Sequence, residues 1–142
     1  MKTFLVLLLL ASGMGTSFAG DKIWTGLILG VNNRPPVPPE TQIANIATDL
    51  TQVFGYNTYY LLGKKSQSIS VGNETWAIPG KEFSAHVVCL GREKNVYRLQ
   101  VQLFRGKEML MDSKVNLARG APLLVAGPSW GDGKVIVALR IP

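Results

Sequence analysis

VYRLQVQLF, residues 96–104, sets Tyr97, Leu99, Val101 and Leu103 against Arg98, Gln100 and Gln102 in strict alternation. A period of two sends successive side chains to opposite faces of a strand, so one face of this segment belongs to a core and the other to water. One-sided burial is the habit of antiparallel sheets. What remains is to find the partners of this strand and whatever covers the sheet.

Working outward, similar segments lie on both sides. FSAHVVCL (83–90) precedes it, and EMLMDSKVNL (108–117), PLLVAG (122–127) and KVIVALRI (134–141) follow. Further upstream, KIWTGLILGV (22–31), TYYLLG (58–63), SISVG (68–72) and ETWAI (74–78) read as strands, with Gly63-Lys64-Lys65 and Gly72-Asn73 as breaks. The turns GREKN (91–95), RGK (105–107), RGA (119–121) and GPSWGDG (127–133) all contain glycine. Short turns of this kind join antiparallel neighbours.

One segment changes period. Ile43, Ile46, Ala47, Leu50, Val53 and Phe54 recur at three- and four-residue steps, which predicts an amphipathic helix. Glu40 favours its positive end, and Gly55 can take the left-handed conformation that closes it. The preceding RPPVPPE (34–40) is a stiff connector, unsuited to helix or sheet interior. The expected fold class is α+β, with one amphipathic helix packed on a mostly antiparallel sheet or β-meander, in a single domain over residues 20–142.

The amino-terminal stretch MKTFLVLLLLASGMGTSFA has a positive start at Lys2, an apolar run from Phe4 to Leu10 and a small-x-small ending at Ser17-Phe18-Ala19. These are the parts of a secretory signal peptide cut after Ala19. The apolar run is shorter than the ~20 residues that cross a bilayer. The expectation is an exported domain of a bacterial periplasm or cell surface, with no stable membrane insertion once the leader is removed. Cys89 is the single cysteine, so the domain folds without an internal disulfide. Asn73-Glu74-Thr75 matches the N-glycosylation pattern, although Asn is also ordinary in a turn.

Several chemistries can be weighed from spacing. GPSWGDGKV differs from a phosphate-gripping loop in glycine spacing, in the residue after Lys134 and in leading to a strand, so it reads as a hairpin turn. Cys89 and His86 stand three apart on a strand and point to opposite faces. Cys89 shares the side of Phe83, Ala85 and Val87, which makes it a small core residue. Met109 and Met111 fall on one face of an unbroken strand. With His86 they would offer soft ligands for cuprous copper, and as core fillers they need no metal. Glu108 and Asp112 also share a face, yet at ~13 Å they are too far apart for paired acid–base hydrolysis. No catalytic residue, metal site or cofactor is assigned.

Charge stands at 15 Lys and Arg against 9 Asp and Glu. Alternating turns send Arg92, Lys94 and Arg119 to one end of the meander and Lys81, Arg105, Lys107 and Lys134 to the other. Lys64, Lys65, Arg98 and Arg140 could extend a patch if the fold gathers them.

Two stretches, IANIATDLTQVFGYNTYYLLGKKS (43–66) and LARGAPLLVAGPSWGDGKVIVALRI (117–141), resemble small signal-peptide-bearing bacterial envelope proteins of unassigned activity. Within the second, RGAPLLVAG resembles a glycine-turn hairpin of secretin channel domains, but the rest of a secretin is missing. The resemblance implies a stand-alone envelope module and carries no catalytic residue. The function expected is therefore a non-enzymatic domain binding an envelope protein or protein complex, with Arg119, Trp130 and Lys134 as candidate binding residues. A polyanion is a second class of partner, nucleic acid is not expected, and a copper carrier or an enzyme with a site assembled from distant strands is the alternative.

Overall fold

The computed structural model describes residues 21–69 and 75–141. The leader, Asn73 and the end of the expected strand 68–72 lie outside these residues. Strand β1 (Asp21–Val31) leads through the proline-rich connector to a 3-10 turn (Thr41–Ile46) and helix α1 (Ala47–Phe54). Then follow β2 (Thr58–Ile69), β3 (Thr75–Ile78), β4 (Phe83–Glu93), β5 (Val96–Arg105), β6 (Glu108–Ala118), β7 (Leu123–Trp130) and β8 (Gly133–Arg140).

Sheet A has the order β2-β1-β8-β7 and sheet B the order β3-β4-β5-β6, with every pair antiparallel. β2 approaches β3 along one seam, and β6 approaches β7 along the other. The strands thus follow one another in an up-and-down circuit that β1 and β8 close, flattened into two facing sheets. This is the α+β, sheet-dominated class that the alternation and the single helix predict.

Two cores follow from the two faces of sheet A. Its inner face presents Ile23, Leu27, Val135, Val137 and Leu139 to Ala85, Val87, Cys89, Tyr97, Leu99, Val101 and Leu103 of sheet B. Its outer face presents Ile28, Tyr59, Ile136 and Ala138 to Ile43, Ile46 and Leu50 of the helical segment. Strands β1 and β8 are buried on both sides, which is why LILGV and VIVAL lack the alternation of β5.

Three local readings change. β2 runs unbroken through Gly63-Lys64-Lys65. Gly63 serves a close approach there, since an added Cβ would stand 2.2 Å from the Pro79 carbonyl oxygen. β7 continues past Gly127 to Trp130, with Pro128 inside an irregularity between Ala126 and Ser129, leaving only Gly131 and Asp132 as the turn. A proline lacking its N–H is tolerated at such a site on an edge strand.

Val53 is 62% exposed instead of joining the helix stripe. In a 3-10 turn, three residues complete one revolution, so Ile43 and Ile46 stack directly. The α-helical step then carries the buried line to Leu50 and Phe54, leaving Val53 outside. Gly55 closes the helix at φ 79° as expected. The connector is tied down by reciprocal bonds, the Asn33 N–H donating to Asn57 and the Asn57 N–H donating to Asn32.

Leu50→Ala is expected to lower stability by about 2–5 kcal/mol through the cavity it leaves, whereas Val53→Ala stays within about 0.5 kcal/mol. Urea unfolding of the two variants checks this. Equal losses would mean that α1 packs in the other phase.

Candidate functional site

The sandwich has two ends, and the residues at each differ in chemistry. At the end where the β7–β8 turn lies, Trp130 points inward and meets Phe83 edge to face, with ring centroids 5.0 Å apart. The Arg105 guanidinium lies over the indole at 4.3 Å and pairs with Glu82 at 3.1 Å. Arg105 is held there by register. It continues the inward row of Tyr97, Leu99, Val101 and Leu103 one step beyond the core and pairs with Phe83 across β4. An arginine at that step can cover an aromatic face and still reach water.

Beside this stack opens a cavity of about 400 Å³ lined by Leu29, Leu61, Leu62, Lys81, Glu82, Phe83 and Trp130. Its floor is aliphatic and aromatic, and its rim carries Lys81 and Glu82. Glu82 is engaged by Arg105, whereas Lys81 has no ion-pair partner among the described residues.

At the opposite end, Asp21 ties the two sheets together. The Tyr97 hydroxyl donates to its carboxylate at 2.9 Å, Arg119 pairs with the same group, and Arg92 lies 5.3 Å over the Tyr97 ring. Burial works to raise the Asp21 carboxyl, but the Tyr97 hydrogen bond and the Arg119 guanidinium outweigh it and hold it below the ordinary value. Tyr97 moves upward, through burial first and then its bond to Asp21. This cluster is a clasp, its groups satisfying one another.

The three candidate binding residues do not share a surface. Trp130 alone reaches the cavity. Lys134 pairs with Ser129 and Gly30 and projects from the outer face of sheet A, because Trp130 and Lys134 occupy opposite parities of one hairpin. Arg119 belongs to the distant clasp. The sorting of Lys81 and Arg105 to one end, and of Arg92 and Arg119 to the other, agrees with the structure.

Cys89 is buried and His86 exposed on the other face of β4, tilted against Phe104 at 4.9 Å. Met109 and Met111 do not share a face. Leu103 pairs with Met111 and Phe104 with Met109, so Leu110 is an extra residue that reverses the parity of the strand. Met109 is 49% exposed, whereas Met111 packs on the inter-sheet core. The same bulge puts Glu108 and Asp112 on opposite faces. Among the described residues, no three His, Cys, Asp or Glu side chains gather as a metal site, and no helix is long and apolar enough to cross a membrane.

Leu29, Leu62 and Phe83 were legible only as core residues, and Glu82 gave no signal in the sequence. The end-to-end sorting of turns did place Lys81 and Arg105 beside the last hairpin. No protein-family model, curated protein or solved structure matches this chain.

Because the Asp21 carboxyl is lower in the folded protein, its contribution is present above the unfolded value of 3.8 and is lost as pH falls through the folded value. Asp21→Asn is expected to cost about 1 kcal/mol at pH 7, discounted for the exposure of Arg119, and to flatten the loss of stability below about pH 4. Thermal melts of both proteins from pH 7 down to pH 2 check this. Parallel curves would remove Asp21 from the clasp.

Proposed function

We propose that the protein is an exported, non-enzymatic domain that binds another macromolecule of the bacterial cell envelope, a protein or protein complex, and that the partner docks at the cavity beside Trp130. The observation that carries this reading is an apolar seat at the strand ends, walled by Trp130 and Phe83, with the Lys81 cation at its rim. A cavity of about 400 Å³ lies at the small end of the roughly 300–1,000 Å³ common for ligand sites. That size suits one or two apolar side chains of a partner segment.

The composition of the seat also fits. Trp and Arg dominate binding energy at protein interfaces because they combine large contact area with directional polar groups. Here Arg105 covers one indole face and Phe83 packs on the ring edge to face, so the ring is held in one orientation before any partner arrives. Pre-organisation of that kind lowers the entropy lost on association. The separation of His86 from Cys89 favours binding over nucleophilic chemistry.

A photo-crosslinker at position 81 is expected to capture a defined envelope protein, whereas one at position 52, on the exposed side of α1, does not. With that protein purified, Lys81→Glu and Trp130→Ala are each expected to weaken binding by about tenfold or more. Lys81 is exposed, so its variant separates binding from folding. Unchanged affinity in both variants would move the docking site elsewhere.

A further inference from the structure

The outer face of sheet A is only partly covered. The helical segment packs over Ile28, Tyr59, Ile136 and Ala138. Trp24 of β1 packs at the margin of that cluster, and beyond it the same face continues through Lys22 of β1, Lys64, Ser66 and Ser68 of β2, and Arg140 of β8. Register places these groups together: Trp24 pairs with Arg140 on one side and Ser66 on the other, while Lys64 stands opposite Gly26 and Ser68 opposite Lys22.

Three cationic residues therefore share this part of the face with one indole. Arg140 is its direct cross-strand neighbour, Lys22 lies two residues along the strand, and Lys64 is a diagonal neighbour at roughly 7–8 Å by sheet geometry. The indole is partly buried and folded back along its own strand. A Cβ added to Gly26 would meet its Cη2 at 2.3 Å, so the ring lies directly over that glycine. The Arg140 Nε is buried with no hydrogen-bond partner among the described residues.

The charge of the sheet is one-sided. Its four strands carry Lys22, Lys64, Lys65, Lys134 and Arg140 against a single acid, Asp21, which faces inward and is neutralised by Arg119. Sheet B mixes signs, with Glu93, Glu108 and Asp112 among Arg92, Arg98, Arg105 and Lys114. Arg98, which the sequence could have added to the same patch, belongs to sheet B.

From this arrangement we infer that the uncovered part of sheet A is a binding ledge for an anionic polysaccharide chain. The shape decides against a membrane surface. A helix is about 10–12 Å across with its side chains, so α1 stands above the ledge and a flat bilayer would meet the helix first. A flexible chain can lie in the step. Single-stranded nucleic acid is held by rows of stacking rings, whereas this ledge offers one ring and the hydroxyls of Ser66 and Ser68, a combination suited to sugar hydroxyls and pendant acidic groups. The site is separate from the cavity beside Trp130, and neither depends on the other.

The test is calorimetric titration of the full protein with a heparin fragment, with a single-stranded oligothymidylate of equal charge and with phosphatidylglycerol vesicles. Heparin binding that falls steeply with added salt is expected. Lys22→Gln/Lys64→Gln/Arg140→Gln should weaken it by about tenfold or more. A variant of equal charge loss on sheet B and its β4–β5 turn, Lys94→Gln/Arg98→Gln/Lys114→Gln, should retain binding. A change in tryptophan fluorescence on adding heparin should be abolished by Trp24→Phe, which keeps a ring over Gly26. Equal losses in the two triple variants, persistence of the fluorescence change in Trp24→Phe, or tighter binding to the oligonucleotide or the vesicles would overturn the proposal.

Discussion

The pairing of β1 with β8, from Trp24 opposite Arg140 to Gly30 opposite Lys134, joins the two extremes of the described chain. Closing so long a loop costs more entropy than any local hairpin of the fold. What offsets the cost is burial on both faces of the two strands. Inward, Ile23, Leu27, Val135, Val137 and Leu139 complete the inter-sheet core; outward, Ile28, Ile136 and Ala138 receive the helical segment. Without this pairing, sheet A would fall into two separate hairpin edges and the helix would have no surface to cover.

The same closure creates the geometry of both candidate surfaces. A circuit of strands has two ends, and here one is fastened by Asp21, Tyr97 and Arg119 while the other is stoppered by Trp130, Phe83 and Arg105. The stopper is incomplete, and the cavity beside it is the space left over. The helix, too short to cover all of sheet A, leaves the cationic ledge around Trp24. Both proposed surfaces are thus places where core construction stops short.

Much of this was legible in the residues. The alternation of β5 announced a one-sided sheet, and the three- and four-residue steps before Gly55 announced the helix. Parity with Ala85 and Val87 places Cys89 in the core, where the structure has it. The departures have separate causes. The extra residue at Leu110 reverses the facing of everything before it in β6, and with it the relation of Met109 to Met111, without any compositional mark. Gly63 resembles a break because glycine often is one, yet here it makes room for the Pro79 carbonyl. Val53 departs from the side that its spacing predicts because a 3-10 turn and an α-helix have different periods, and the sequence of the segment suits either.

Local periodicity and turn chemistry, properties of residues a few positions apart, determined by themselves that the chain makes antiparallel strands, one covering helix and a core containing Cys89. Only the tertiary structure decided that Trp130 meets Phe83 and Arg105, that Arg119 belongs to another end, and that Lys22, Lys64 and Arg140 share one sheet face with Trp24. Those groupings depend on register between distant strands, which is set by packing of the two sheets, and a one-residue shift in register moves every side chain to the opposite face.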